Sequence, residues 1–254
     1  MVTKTKHRKN KNKKSKRKNK LNTNVKLYNK NKISFGDKIY KINEQIGELS
    51  SNALLFKVDD LSDNKIYILK ITYNKENPEL LKEYREFFDS GIYEYNNIKQ
   101  IQDKFEDNVP NVYNYGYRLN NNKIKTFFYE LIFNPGSEML SNIFNNIFSR
   151  KYLEFIIMEY IEGDTFFRLC KNKNNKVCKE YSKKICKVID NFHNEGIVHN
   201  DLHLNNIMIS KDNPIIIDWA RAIISNDKLS WKNEKGEEKW YGGPRWNKKP
   251  FKCY

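Results

Sequence analysis

Residues 197–220 read IVHNDLHLNNIMISKDNPIIIDWA. Two apolar residues, Ile197 and Val198, lead into His199, Asn200 and Asp201. After four intervening residues comes Asn206, then the apolar run Ile207 to Ile209. A polar turn with Pro214 follows, and Ile215, Ile216 and Ile217 deliver Asp218. The pattern is H-x-D-x-x-x-x-N, a hairpin of two short apolar strands, and an Asp. Short apolar runs bounded by turn formers read as buried strands, and a hairpin here brings Asn206 and Asp218 to one edge. The three polar residues alone would arise by chance in roughly one chain of this length in a hundred, and more often in an Asn-rich chain. The weight therefore rests on the flanking runs and the spaced Asp218. The bland alternative is a loop of cap and turn residues ahead of a buried hairpin.

The stretch resembles the catalytic loop and metal-binding Asp of the protein-kinase-like superfamily. That resemblance implies an α+β, two-lobed fold, with a β-rich N-lobe and a helical C-lobe. It implies phosphoryl transfer from ATP with Mg²⁺, a reaction that asks for positioning and charge neutralisation more than covalent work. Asp201 fits the carboxylate that accepts the proton of an attacking hydroxyl. Asp218 fits the carboxylate that holds Mg²⁺, and the Asn206 amide oxygen fits a shell of hard oxygen ligands. His199 is expected to brace the loop by hydrogen-bonding to backbone near Asp218.

The same resemblance extends upstream. Ile39, Tyr40, Ile42 and Ile46 suggest a strand, followed by Gly47-Glu-Leu-Ser-Ser-Asn. Kinases place a Gly-rich hairpin over the phosphates here; only Gly47 keeps that pattern, with the backbone amides of Ser50 and Ser51 facing phosphate. Residues 65–71, KIYILKI, read as a strand, and Lys70 stands where kinases carry the lysine of V-A-I-K. A lysine between Leu69 and Ile71 must reach solvent or be paired. Residues 78–105 read as helical, opened by Pro78. Glu94 is the chosen partner of Lys70, with Glu83 and Glu86 as rivals. Residues 112–133 read as two aromatic strands, VYNYGYRL and KTFFYELIF, and 134–150 as an insertion with a short amphipathic helix. Residues 152–165, YLEFIIMEYIEGDT, resemble the strand into the inter-lobe hinge. There Met158 would back the adenine pocket, Glu159 and Ile161 would offer backbone hydrogen bonds to the base, and Asp164 would reach the ribose. Residues 177–195 read as an amphipathic helix stopped by Gly196.

Three departures matter. The protein-kinase lysine two residues after the catalytic Asp is His203 here, and H-x-D-x-H resembles aminoglycoside and choline phosphotransferases; His203 joins Asp201, Lys70 and Glu94 as a catalytic candidate. D-F-G becomes Asp218-Trp219-Ala220. Only 36 residues follow Asp218, so the resemblance is taken to cover about 39–220, with a shortened C-lobe. The expected organisation is a disordered basic tail over 1–32, an N-lobe with hinge over 33–161 and a shortened C-lobe over 162–254. The leading expectation is a Ser/Thr protein kinase acting on protein substrates. The alternatives are a small-molecule hydroxyl kinase and a nucleotide-binding pseudokinase scaffold.

Composition bounds the rest. The net charge is +16, and residues 1–32 hold fourteen Lys or Arg and no Asp or Glu, which leaves about +2 for the remainder. Such a segment cannot bury enough apolar surface to fold alone. It would attract nucleic acid, an acidic partner or an anionic membrane surface, or serve as a nuclear address. A nucleic-acid-binding body would carry more charge than +2. No run of about eighteen apolar residues reads as a transmembrane helix, and the N-terminus lacks the apolar core of a secretory signal. Cys170, Cys178, Cys186 and Cys253 show no CxxC pair, so Cys178 and Cys186 are expected as partly buried thiols in a reducing, intracellular compartment, cytoplasmic or nuclear. The abundance of Lys, Asn and Ile is that of AT-rich coding genomes, such as those of some giant DNA viruses.

Overall fold

The computed structural model describes residues 25–28, 31–46, 53–74, 78, 90–132, 148–172 and 175–224. Seven antiparallel strands form its main sheet: β1 (Val25–Tyr28), β2 (Lys32–Phe35), β3 (Lys38–Ile46), β4 (Leu54–Asp60), β5 (Ile66–Asn74), β6 (Val112–Leu119) and β7 (Tyr152–Glu159). Their spatial order is β1-β2-β3-β4-β5-β7-β6. Strand β4 alternates buried and half-buried residues along LLFKVDD, the period-2 pattern of a sheet with one covered face. The six central residues of β7 are all buried, because both faces of that strand are covered.

Helix α1 (Gly91–Ile101) packs on one face of the sheet. Helix α2 (Asn122–Ile132) packs on the other, where Ile124 and Phe128 join Phe56, Phe155 and Phe148 in a buried cluster. This is the stretch read as a second aromatic strand, and the structure corrects it. Ile124, Phe127, Phe128 and Leu131 recur at i, i+3, i+4 and i+7, a helical stripe. Asn121 caps the helix, its Oδ1 accepting the Ile124 N–H at 3.1 Å. Aromatic content pointed to strand, but periodicity and the cap decide.

The start of the ordered chain is also corrected. Val25 is buried and pairs with Phe35 across the β1–β2 hairpin, so folded structure begins before residue 33. The hairpin lengthens the sheet at the edge opposite β6.

The second half of the chain is helical with two small sheets, one of three strands and one of two. Strand β8 (Asp164–Thr165) leads into α3 (Phe166–Asn172) and α4 (Asn175–Asn194). Gly196, at φ 72°, donates to the His193 carbonyl at 2.9 Å and ends that helix. The rest is β9 (Ile197–Val198), β10 (Ile207–Ser210), β11 (Asn213–Ile216) and β12 (Ile223–Ile224). One apolar cluster unites Ile156 and Met158 of the sheet with Ile92 and Ile98 of α1, Ile189 and Phe192 of α4, and Ile216 and Trp219.

The expectation of free thiols fails. Cys170 of α3 and Cys178 of α4 form a disulfide with Cα atoms 5.6 Å apart, and Cys186 is not a free thiol either. The break between α3 and α4 folds the chain back, so cysteines eight apart meet although one continuous helix would separate them. The cysteine argument for a reducing compartment falls with it. No helix among the described residues is long and apolar enough to cross a membrane.

Candidate active site

The site lies where the sheet, α1 and the hairpins of residues 197–224 meet. Lys70 enters from β5, a strand held between β4 and β7. Its Nζ lies 2.7 Å from Glu94 Oε2 and 2.9 Å from Asp218 Oδ1. The Asp218 contact has hydrogen-bond geometry. At Glu94 the attraction of opposite charges is the larger part of the contact. Glu94 is 3% exposed and Asp218 42%, which makes Asp218 the arm of the triad open to a ligand.

The ionisation of the three follows from this placement. Burial alone would push the Lys70 ammonium down, but the charges of Asp218 and Glu94 reverse that and hold it above its ordinary value. Burial drives the Glu94 carboxyl up, and Lys70 offsets this only in part. The Lys70 charge outweighs burial at Asp218 and holds its carboxyl below the usual range.

Asp218 sits in the left-handed region at φ 66° and ψ 62°, a conformation that Asp tolerates better than most residues. Its neighbour Trp219 is fully buried and donates its Nε1–H to the Ile216 carbonyl at 2.7 Å. His199 stands edge-on to the Trp219 ring, centroids 4.8 Å apart. The Nε2–H of His199 donates to the Ile217 carbonyl at 2.9 Å, and its Nδ1 faces the Asp201 N–H at 3.4 Å. This bonding requires the neutral ring, and burial pushes the imidazole down to about 4. His199 therefore ties the turn before Asp218 to the backbone of Asp201.

Asn206 performs a similar tie. It is buried, its Nδ2 donates to the Asp201 carbonyl at 3.0 Å, and its own carbonyl accepts the Ile217 N–H at 2.9 Å. With the amide nitrogen committed, the amide oxygen is the atom suited to a cation. Asn206 and Asp218 thus offer hard oxygen donors at the open end of the β10–β11 hairpin. Two protein oxygens suit Mg²⁺, which keeps waters and takes the rest of its shell from phosphate. No cluster of three or more His, Cys, Asp or Glu able to hold a metal occurs among the described residues.

Asp201 is 24% exposed, with Arg221 Nη1 3.8 Å from its Oδ2. His203, two residues on, uses one ring nitrogen locally. Its Nδ1 accepts the Asn205 N–H at 3.3 Å and caps the short turn Leu204–Asn206.

Met158 and Ile161 are buried at the end of β7 and just beyond. The Glu159 N–H, however, is already donated to the Asn111 carbonyl at 2.8 Å, and its carboxylate accepts the Asn111 N–H and side-chain amide, both at 3.0 Å. Glu159 has only its carbonyl left to offer a base. Asp164 is exposed, in register with Ile209 of β10. Between them Gly163 lies so close to β10 that an added Cβ would stand 2.1 Å from the Ile209 carbonyl oxygen. Gly47, Ser50 and Ser51 fall outside the described residues, as do Glu83 and Glu86.

Three residues absent from the sequence reading frame the site. Asn97, one turn beyond Glu94 on α1, donates to the Trp219 carbonyl at 2.8 Å and the Ala222 carbonyl at 3.3 Å. Arg221 faces Asp201. Glu154 of β7, fully buried, receives the N-terminus of α1. Its signal lay in YLEFII: a lone charge in an apolar run must find partners.

A search of curated proteins gives no match. A model of the protein kinase domain family matches residues 40–250, most of the chain and some thirty residues past the limit taken from the motifs. The match covers the strand lysine, the helix carboxylate and the H-x-D-x-x-x-x-N loop with its following Asp, and the chain belongs to the protein kinase domain family.

Proposed function

We propose that the chain is an ATP-dependent phosphotransferase that moves the γ-phosphoryl group to a Ser or Thr hydroxyl of a protein. The observation that carries this reading is the meeting of Lys70, Glu94 and Asp218 at one ammonium, across 148 residues of sequence. A lysine held between two carboxylates, one buried and one open, is poised to give up part of its attraction for Asp218 to a phosphate. Asn206 and Asp218 would hold Mg²⁺, which when bound neutralises charge on the phosphates. Asp201, tied down through its backbone by His199 and Asn206, orients the acceptor hydroxyl and takes its proton. Arg221, on the turn after Asp218, steadies the Asp201 carboxylate. Met158 and Ile161 would line the slot for the base.

The test is transfer of labelled phosphate from Mg·ATP by the wild type and by Asp201→Asn. Basic and acidic proteins, the chain itself and small-molecule alcohols serve as acceptors. Label on protein that falls by about 10²–10⁴ in the mutant is expected. Label only on a small-molecule alcohol would move the reading to the aminoglycoside and choline kinase type. Mg·ATP binding without any transfer would make the chain a nucleotide-binding scaffold.

A further inference from the structure

Glu154 lies outside the catalytic constellation, yet it is the most heavily hydrogen-bonded carboxylate among the described residues. It sits in the centre of β7, fully buried. Its Oε1 accepts the Ile92 N–H at 3.0 Å and the Tyr115 hydroxyl at 2.7 Å. Its Oε2 accepts the Gly91 N–H at 3.1 Å and Asn74 Nδ2 at 3.1 Å. The Ser90 hydroxyl donates to both oxygens at 3.0 Å. Five donors from three segments, β5, the start of α1 and β6, converge on one carboxylate.

Two of those donors are the first amides of α1. A helix start leaves four N–H groups without intrahelical partners. Here Gly91 and Ile92 give theirs to Glu154, and Tyr93 and Glu94 give theirs to the Ser90 carbonyl at 3.1 and 3.3 Å. Ser90, at the position where a side chain ordinarily caps its own helix, makes no such cap. The sheet caps the helix instead, with a charge of the sign that a helix N-terminus favours. Gly91 allows the approach: a Cβ there would meet Thr72 Oγ1 at 2.7 Å and Glu154 Cβ at 3.3 Å.

We infer that Glu154 is the positioning residue for the Lys70–Glu94 pair. It locks the N-terminus of α1 to the sheet, so the pair stays assembled without a partner protein or a phosphorylated segment to push the helix home. Glu94 lies one turn inside the clamped end. Swinging α1 away would strip a buried carboxylate of three of its five donors, those of Ser90, Gly91 and Ile92, which the fold cannot tolerate cheaply. The consequence for turnover rests on the kinase reading; the clamp itself does not.

The experiment compares full-length wild type, Glu154→Gln and Tyr115→Phe. Glutamine keeps the shape but points an NH₂ at the Gly91 N–H. Tyr115→Phe removes one bond and keeps the charge. Backbone hydrogen exchange in residues 91–101 should quicken by about tenfold or more in Glu154→Gln and by less in Tyr115→Phe, relative to α4 in the same molecules. Turnover should fall with the exchange change while KM for the acceptor holds, and Glu154→Gln should add little in a Glu94→Gln background. Exchange that rises equally in α1 and α4 would reduce Glu154 to a general stability residue and overturn the inference. So would a turnover loss fully additive with Glu94→Gln. If Glu154→Gln does not fold, the α1-to-α4 exchange comparison in Tyr115→Phe decides alone. If no variant, wild type included, transfers phosphate, the kinase reading fails and the exchange comparison still judges the clamp.

Discussion

Replacing Lys70 by Met removes the one cation between Glu94 and Asp218 and should destabilise the protein in a pH-dependent way. At 2.7 Å and an effective dielectric of about 20, the Lys70–Glu94 attraction is on the order of 6 kcal/mol before desolvation is subtracted. Most of that gross figure is offset by the cost of burying the charges. Removing one partner leaves the other uncompensated, and for a buried pair this costs about 3–5 kcal/mol. Glu94 is 3% exposed and receives that cost, whereas Asp218, 42% exposed, is largely relieved by water. Glu94→Gln is milder, because Lys70 keeps Asp218 at 2.9 Å; about 1–2 kcal/mol is expected.

The pH dependence has a definite sign. In Lys70→Met nothing opposes the burial that raises the Glu94 carboxyl. Its folded pKa then lies above the unfolded value of about 4.3. Between those two values the folded state binds more protons than the unfolded, so stability falls as pH rises. The deficit of Lys70→Met against wild type should be small near pH 4.5 and grow to its full size above the raised pKa. The deficit of Glu94→Gln should not grow with pH in this way. Urea unfolding from pH 4.5 to 8 measures both. A Lys70→Met deficit that stays flat across that range, or one no larger than that of Glu94→Gln, would mean that Glu94 is not buried against the ammonium, and the reasoning would fail.

Three further outcomes follow from single contacts. Gly163→Ala should cost about 1–3 kcal/mol in thermal unfolding and raise KM for ATP, since its Cβ would stand 2.1 Å from the Ile209 carbonyl oxygen and the β8–β10 pairing must yield; an unchanged Tm would show that the turn relaxes freely. Trp219→Phe removes the 2.7 Å bond to the Ile216 carbonyl and leaves that acceptor buried, so a loss of about 2 kcal/mol in urea is expected, and a loss below 0.5 would argue against the contact. Deleting residues 1–24 removes eleven Lys or Arg but leaves β1 whole; affinity for a DNA duplex at about 0.15 M salt should collapse with phosphoryl transfer intact, and retained affinity would place the anion-binding surface on the folded body.

What was legible in the sequence had short range or a fixed spacing. The loop from His199 to Asp218 carries its spacing in one stretch, and Lys70 announces itself as a charge flanked by apolar strand residues. Glu94 could be selected because its helix precedes β6 by a short turn. The failures share a cause: each needed the neighbour that tertiary structure supplies. Helix α2 is aromatic because it plugs the sheet at Phe56 and Phe155, and that burial mimics strand composition until its period is counted. The Cys170–Cys178 bond depends on a helix break that composition does not mark. Val25 reads as part of a basic tail until β2 turns back to pair with it.

Helix α1 shows why the remote residues matter as much as those in the motif. Its first amides end on Glu154 of β7, its middle presents Glu94 to Lys70 of β5, and Asn97 one turn on grips the carbonyls of Trp219 and Ala222. The helix is thereby held at its start by the sheet and at its centre by the turn that carries Asp218. A displacement that separated Glu94 from Lys70 would have to break the Glu154 cradle, the Asn97 bonds or both. The two acidic partners of Lys70 are therefore not independent: the helix that brings one also holds the backbone that presents the other. A change that loosens α1 should weaken the Lys70 contacts to Glu94 and Asp218 together, which is how residues well away from any phosphate come to govern the geometry that would receive it.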